Sequence, residues 1–83
     1  MEFAEQCELA WTNLANVLAS AGMGMQDIVK VNIFLAHQED LPVFREIRDR
    51  HLAGARPAST LVFVKALANP RWLIEIEAIA ARA

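Results

Sequence analysis

Two glutamates, Glu75 and Glu77, are the residues whose type and spacing point most directly to chemistry in this sequence. They lie two positions apart within the apolar run Trp72–Ile79, so in a strand both carboxylates would point to the same face. A carboxylate positioned beside a substrate can orient or activate a water molecule. The alternative is that both glutamates lie on a solvated sheet surface and have no chemical role.

Arg56 and Ser59, just before a second apolar run, Thr60–Leu67, carry side chains that can donate hydrogen bonds to an anion. Arg56 could bind an anion from its loop, or could be an ordinary surface arginine. Ser59 could donate a hydrogen bond to a carboxylate, or could simply begin the strand. The two histidines are isolated, and no Cys, His and carboxylate group has the spacing of metal ligands. The sequence therefore predicts no metal and no cofactor.

The rest of the chain must position these residues, and its first two thirds predict two helices and a strand. A helix is predicted over Glu2–Ala21, a strand over Ile28–Ala36, and a second helix that is capped by Asp40 and runs to about Leu52. The first helix carries an apolar stripe formed by Phe3, Cys7, Ala10, Trp11, Leu14, Val17, Leu18 and Ala21. Alternation in the strand predicts one face made of Val29, Val31, Ile33 and Leu35, with Ile28 and Lys30 on the other face.

The two apolar runs near the end predict a β-hairpin, because Asn69 and Pro70 between them are typical of a turn. The predicted order is therefore α-β-α-β-β, in which the strand–helix–strand unit forms a right-handed crossover. Both helices would pack on one face of a mixed sheet, which is a two-layer α+β fold. The other face would carry some of the side chains of Thr60, Val62, Val64, Leu73 and Ile79, and we expect a neighbouring subunit to cover it.

Composition limits the classes of protein to which the chain can belong. Its 83 residues predict a single domain, and 55% of them are hydrophobic, which favours subunit interfaces over a monomer. The net charge of −2 gives no reason to expect nucleic acid as a partner. No apolar run approaches the roughly 20 residues of a membrane span, and no signal peptide is visible. The single cysteine, Cys7, lies on the apolar stripe and favours a reducing, cytoplasmic location.

Three segments together resemble one known family: DIVKVNIFLA (27–36), RPASTLVFVKAL (56–67) and LIEIEAIAARA (73–83). The chain is similar to the RidA/YjgF family of reactive intermediate deaminases, which are also called endoribonuclease L-PSP. The resemblance covers nearly the whole chain and is most specific at IEIEAIA (74–80). It implies a chorismate-mutase-like fold and a homotrimer that binds small carboxylate-bearing metabolites in clefts between subunits.

The family resemblance also implies a reaction and the residues that perform it. Members hydrolyse imines and enamines to a 2-oxo acid and ammonia, with an arginine holding the substrate carboxylate and a glutamate positioning water. Glu75 matches that glutamate, and Ser59 stands where the family has the arginine. Serine lacks both the charge and the two-pronged geometry of arginine. The resemblance further implies that the family's N-terminal β-hairpin is missing from residues 1–83.

Two functional hypotheses follow from the residues and the resemblance. The first is an imine or enamine deaminase, with Glu75 as the water-positioning residue and with Arg56 and Ser59 as substrate contacts. The second is a catalytically inactive ligand-binding or interaction module. It is favoured by Ser59, which stands where the family has the substrate arginine. An endoribonuclease is disfavoured, because the net charge is negative and the sequence offers no aromatic platform for bases.

Overall fold

The computed structural model describes residues 1–82 and confirms the α-β-α-β-β order. Two 3-10 turns, at Met25–Asp27 and Gln38–Asp40, precede the first strand and the second helix. Within residues 1–82, no helix has both the length and the apolar character needed to cross a bilayer. The main elements are α1 (Phe3–Ser20), β1 (Ile28–Leu35), α2 (Leu41–Leu52), β2 (Ala58–Phe63) and β3 (Ile74–Ala80).

The sheet has the order β2-β1-β3, so the predicted hairpin between the last two strands is wrong. β1 lies in the centre, with β2 parallel to it and β3 antiparallel to it. The Asn-Pro turn itself is present, since the Asn69 side-chain oxygen accepts a hydrogen bond from the backbone N–H of Arg71 at 2.9 Å. The chain from this turn enters β3 on the far side of β1 instead of returning beside β2.

Burial of β1 is the physical reason for this arrangement. Val31, Ile33 and Leu35 are at most 1% exposed, and a hairpin of β2 with β3 would leave this strand at the edge of the sheet. A central strand has its backbone groups paired on both sides, which an apolar and buried strand requires. The parallel partner β2 follows through α2, and the antiparallel partner β3 follows through a ten-residue connection.

A β-bulge at the start of β1 changes which side chains point inward. Ile28 pairs with Ala80 and Lys30 pairs with Ile79, so three residues of β1 stand opposite two of β3. As a result Ile28 is buried, whereas Val29 is 55% exposed. The prediction that Val29 faces the same way as Val31, with Ile28 on the opposite face, is therefore wrong at this end of the strand.

The core lies between the two helices and one face of the sheet. Trp11 of α1 and Phe44 of α2 are fully buried, with ring centroids 6.3 Å apart. The stripe predicted for α1 is confirmed over most of its length, but Val17 is 66% exposed. The buried side chains are Phe3, Cys7, Trp11, Leu18, Ile28, Val31, Ile33, Leu35, Phe44, Ile47, Leu52 and Ile74.

A charged cluster beside the Trp11 ring joins the two helices. The Glu8 carboxylate of α1 accepts a hydrogen bond from Arg50 of α2 at 2.7 Å, and its other oxygen lies 2.6 Å from Nε2 of His51. The His51 ring stacks on Trp11, with centroids 6.2 Å apart. The hydrogen bond with His51, and then the one with Arg50, lowers the pKa of Glu8 below its ordinary value of 4.5.

Two neighbouring side chains of α1 test which face of the helix is buried. Leu18→Ala should lower the free energy of unfolding by about 2–4 kcal/mol, because it leaves a cavity in the core. Val17→Ala should change it by less than about 0.5 kcal/mol, because Val17 is exposed and alanine favours helix. Urea unfolding of both variants measures this difference, and equal losses would contradict the observed helix orientation.

The Glu8 cluster predicts a dependence of stability on pH. Because the native pKa of Glu8 is lowered, its contribution is complete above the ordinary pKa of 4.5 and is lost as the pH falls through the native value. Glu8→Gln should therefore lose less stability than the wild type between about pH 5 and pH 3. Urea midpoints across this range measure the effect. His51→Gln, which removes the first partner, should give an intermediate loss, and identical slopes in all three proteins would contradict the assignment.

Candidate functional site

The sheet face that the helices do not cover carries Glu75 and Glu77. We call this surface the helix-free face; its members are Lys30, Asn32 and Phe34 of β1, Thr60 and Val62 of β2, and Glu75, Glu77 and Ile79 of β3. Val62 and Ile79 are 40% and 63% exposed on it. The predicted common orientation of the two glutamates is confirmed, since their β1 partners, Phe34 and Asn32, are also two positions apart.

The two glutamates differ in their surroundings, although they share this face. Glu77 accepts a hydrogen bond from the Asn32 side-chain amide at 3.2 Å. Glu75 lies opposite Phe34, and within residues 1–82 its carboxylate has no hydrogen bond or ion pair. Glu75 therefore presents an uncommitted carboxylate beside an aromatic ring, whereas Glu77 is engaged within the sheet.

Arg56 and Ser59 line one cavity, which we call the α2–β2 cavity. It has a volume of about 300 Å³ and lies between the end of α2 and the start of β2. Ser59 pairs with Val31, so it belongs to the face of the sheet that the helices cover. The full lining is Val31, Arg48, Asp49, Leu52, Ala55, Arg56, Pro57 and Ser59.

The fold of a single chain places Glu75 and Ser59 on opposite faces of the sheet. Glu75 is in register with Phe34 and Val62, two strands across, and Ser59 lies three residues before Val62. Strand spacing and rise per residue then put their Cα atoms about 14 Å apart. The three site residues predicted from the sequence thus form two groups, and one reaction centre containing both groups would need a second subunit.

The structure adds two residues to the cavity that the sequence pattern did not single out, Arg48 and Asp49. Their spacing on a mixed-charge helix predicts an exposed surface, but the Arg48 side chain is only 29% exposed. Its guanidinium lies over the Phe44 ring, 5.7 Å from the centroid, and its Nε donates to Asp49 at 2.8 Å. The sequence did contain a signal for this contact. Arg48 comes four residues after the inward-facing Phe44, and side chains with this spacing are neighbours on a helix.

A larger concavity of about 520 Å³ lies elsewhere, between α1 and the start of β3. Its lining includes Leu9 and Trp72, both about half exposed, and Arg71 is its only charged side chain. The Gln6 side chain fixes this region, since it donates to the Arg71 carbonyl and accepts from the Leu73 N–H at 2.9 and 2.8 Å. A surface with no acid or base suits packing better than catalysis.

Neither a metal centre nor a reactive thiol is visible in residues 1–82. No group of three or more His, Cys, Asp or Glu residues in this range is arranged to hold a metal ion. Cys7 is fully buried, and burial, with a smaller contribution from the Glu8 charge, raises its pKa to about 12. The thiolate is the nucleophilic form of cysteine, so Cys7 is a core residue, as the apolar stripe predicts.

This burial predicts that Cys7 does not react in the native protein. Iodoacetamide at pH 8 should leave the folded chain unmodified and should add one label per chain in urea, where the thiol regains its ordinary pKa. Intact-protein mass spectrometry measures the label without ambiguity, because Cys7 is the only cysteine. Complete labelling of the folded protein would contradict the inert role.

Comparison with known proteins identifies the family. The family model described as Endoribonuclease L-PSP matches residues 1–82. The chain is 40% identical over 79 residues to "Protein mmf2, mitochondrial" of Schizosaccharomyces pombe, covering 93% of this chain and 63% of the relative. It is 36% identical over 77 residues to the mouse 2-iminobutanoate/2-iminopropanoate deaminase, covering 92% of this chain and 56% of that protein.

A solved structure agrees with these relatives. The crystal structure of RidA from the Antarctic bacterium Psychrobacter sp. PAMC 21119 superposes with a TM-score of 0.87 at 32% identity, covering 95% of this chain and 63% of that one. The chain thus spans less than two thirds of the length of these relatives. The predicted fold is confirmed, and the chain belongs to the endoribonuclease L-PSP family, which is the RidA/YjgF family indicated by its sequence.

Proposed function

We propose that this chain forms a homotrimer that hydrolyses imines or enamines of small carboxylate-bearing metabolites, giving 2-oxo acids and ammonia. The observation that carries the proposal is the uncommitted carboxylate of Glu75 beside Phe34 on an exposed sheet face. The deaminase name of the mouse relative supports the reaction class. The cytoplasmic location stays a prediction, and one relative is named as mitochondrial.

The trimer is supported by the apolar side chains of the helix-free face. Val62 and Ile79 are well exposed in one subunit, and Phe34 lies between their strands. Covering such side chains contributes about 25 cal/mol for each Å² of apolar surface removed from water. A neighbouring subunit that covers this face could also bring Glu75 close to another subunit's α2–β2 cavity, which a single subunit cannot do.

The reaction needs one water molecule and one proton-accepting group. In the proposed step, the Glu75 carboxylate accepts a proton from water while the water oxygen bonds to the imine carbon. The electrons of the carbon–nitrogen double bond move to nitrogen, which takes the proton held by Glu75 and gives a carbinolamine. The nitrogen then takes the hydroxyl proton as the carbon–nitrogen bond breaks, and it leaves as ammonia. The carbon–oxygen double bond of the 2-oxo acid forms at the same carbon. Glu77 is less suited to this role, because Asn32 already donates to its carboxylate.

A second candidate is a ligand-binding module without hydrolytic activity. The observation that favours it is Ser59, which stands where the family resemblance implies the arginine that holds the substrate. Endoribonuclease activity is not proposed despite the family's name, because the net charge is −2. The two candidates share the fold and the cavity and differ only in whether an imine is turned over.

The test is release of 2-oxobutanoate from the imino acid that an amino acid oxidase generates from 2-aminobutanoate. Protein of trimeric mass by light scattering should accelerate release above the spontaneous rate. Glu75→Gln should abolish the acceleration, since glutamine keeps the shape and loses the base. Glu77→Gln is the matched control from the same strand and face, and it should keep at least about a third of the rate. Loss of a general base, as in Glu75→Gln, typically costs 10²–10⁴-fold, so the two variants are readily distinguished.

Three results would contradict parts of this proposal. A monomeric mass would refute the homotrimer. Unchanged turnover in Glu75→Gln would refute the role of that residue. If a properly assembled wild-type trimer gave no release while Ser59→Arg did, the binding module would be the correct function.

A further inference from the structure

The α2–β2 cavity carries an excess of positive charge. Its lining contains two cations, Arg48 and Arg56, and one anion, Asp49, which leaves a net charge of +1. Arg56 has no hydrogen bond or ion pair with any of residues 1–82. A concave surface with one uncompensated guanidinium is suited to a small anion, because arginine presents a planar fork of donors to carboxylates.

Arg48 is held in place before any ligand arrives. Its guanidinium lies 5.7 Å from the centroid of the fully buried Phe44 ring, and both Nε and Nη2 lie 2.8 Å from one oxygen of Asp49. Its Nη1 has no partner among the described residues, so one edge of the fork is still available. A side chain already fixed by packing and ion pairing loses little entropy on binding.

The backbone around Arg56 is also constrained. The N–H of Ala55 donates to the Leu52 carbonyl at 3.0 Å, which fixes the chain as it leaves α2. Pro57 restricts the backbone directly after Arg56. Ser59 follows two residues later at the edge of the same cavity, so its hydroxyl offers a third donor. The volume of about 300 Å³ lies at the lower end of the range for small-ligand pockets.

We propose that Arg48 and Arg56 together bind the substrate carboxylate, with the Ser59 hydroxyl as a third donor. The inference rests on the proposed function for the identity of the ligand. It assigns carboxylate recognition to two guanidinium groups, one on α2 and one on the segment before β2, which line the same cavity as Ser59. The α2–β2 cavity then selects small 2-oxo or 2-imino acids over their uncharged analogues.

The experiment measures binding and turnover separately. Calorimetry with 2-oxobutanoate, and with its neutral amide, reports carboxylate recognition without any chemical step. The wild type should bind the acid at least about tenfold more tightly than the amide, as expected for hydrogen bonds to a charged group. Arg48→Gln and Arg56→Gln should each remove most of this preference, and in turnover they should raise KM more than they lower kcat.

The control is Arg45→Gln, because Arg45 is an exposed arginine on the same helix that does not line the cavity. It should bind 2-oxobutanoate within about twofold of the wild type, since screened surface charges have small effects. Arg48→Lys keeps the charge but loses the fork, and it should fall between Arg48→Gln and the wild type. Arg56 lies on an exposed segment, so Arg56→Gln tests the site even where Arg48 variants unfold.

The outcomes separate this inference from the proposed function. Wild-type turnover that survives unchanged in Arg48→Gln and Arg56→Gln overturns the carboxylate site and leaves the hydrolase intact. Arginine-dependent binding of 2-oxobutanoate without turnover supports the site and refutes the hydrolase. Wild-type protein that binds the acid no better than the amide overturns the inference.

Discussion

Burial of the central strand is the constraint on which the rest of this structure depends. Val31, Ile33 and Leu35 point into a core closed by Trp11 and Phe44, and their strand needs a hydrogen-bonded neighbour on each side. β2 and β3 therefore take positions on either side of β1. Because β3 runs along one edge and β2 along the other, the glutamates and the Ser59 segment are separated within the chain. The same packing leaves one face of the sheet without helices, with apolar and acidic side chains exposed side by side.

The charged groups of the helical layer fall into two sets with different consequences. Glu8, Arg50 and His51 connect α1 to α2 over the Trp11 ring and neutralise one another locally. Arg48 lies one turn from this cluster but lines the cavity at the start of β2, where Asp49 balances only one of two guanidinium groups. The first set joins the two helices, and the second leaves a positively charged cavity. α2 thus provides both a structural contact and a candidate binding surface from neighbouring positions.

Family membership and local chemistry support each other without being equivalent. The family resemblance predicts that Glu75 positions water, and the structure shows an exposed carboxylate that no described residue engages. The resemblance predicts an arginine at the position of Ser59, and the structure shows two arginines around the cavity that Ser59 lines. Arg48 from α2 and Arg56 from the segment before β2 both line this cavity, so arginines from two different parts of the chain border the same space. Replacement of one arginine therefore leaves the cavity with a positive charge.

Local patterns in the sequence were sufficient for the elements, for most of the core and for the pairing of Glu75 with Glu77 on one face. Helical period and strand alternation are properties of neighbouring residues, so α1, α2 and the three strands could be predicted within a few residues. Strand order, the bulge that reverses Ile28 and Val29, and the partial burial of Arg48 could not be predicted, because each depends on which distant segment packs against the strand or helix. A hairpin was predicted because proximity in sequence favours it. Tertiary structure placed β1 between the two strands instead, where its three inward side chains, Val31, Ile33 and Leu35, are at most 1% exposed.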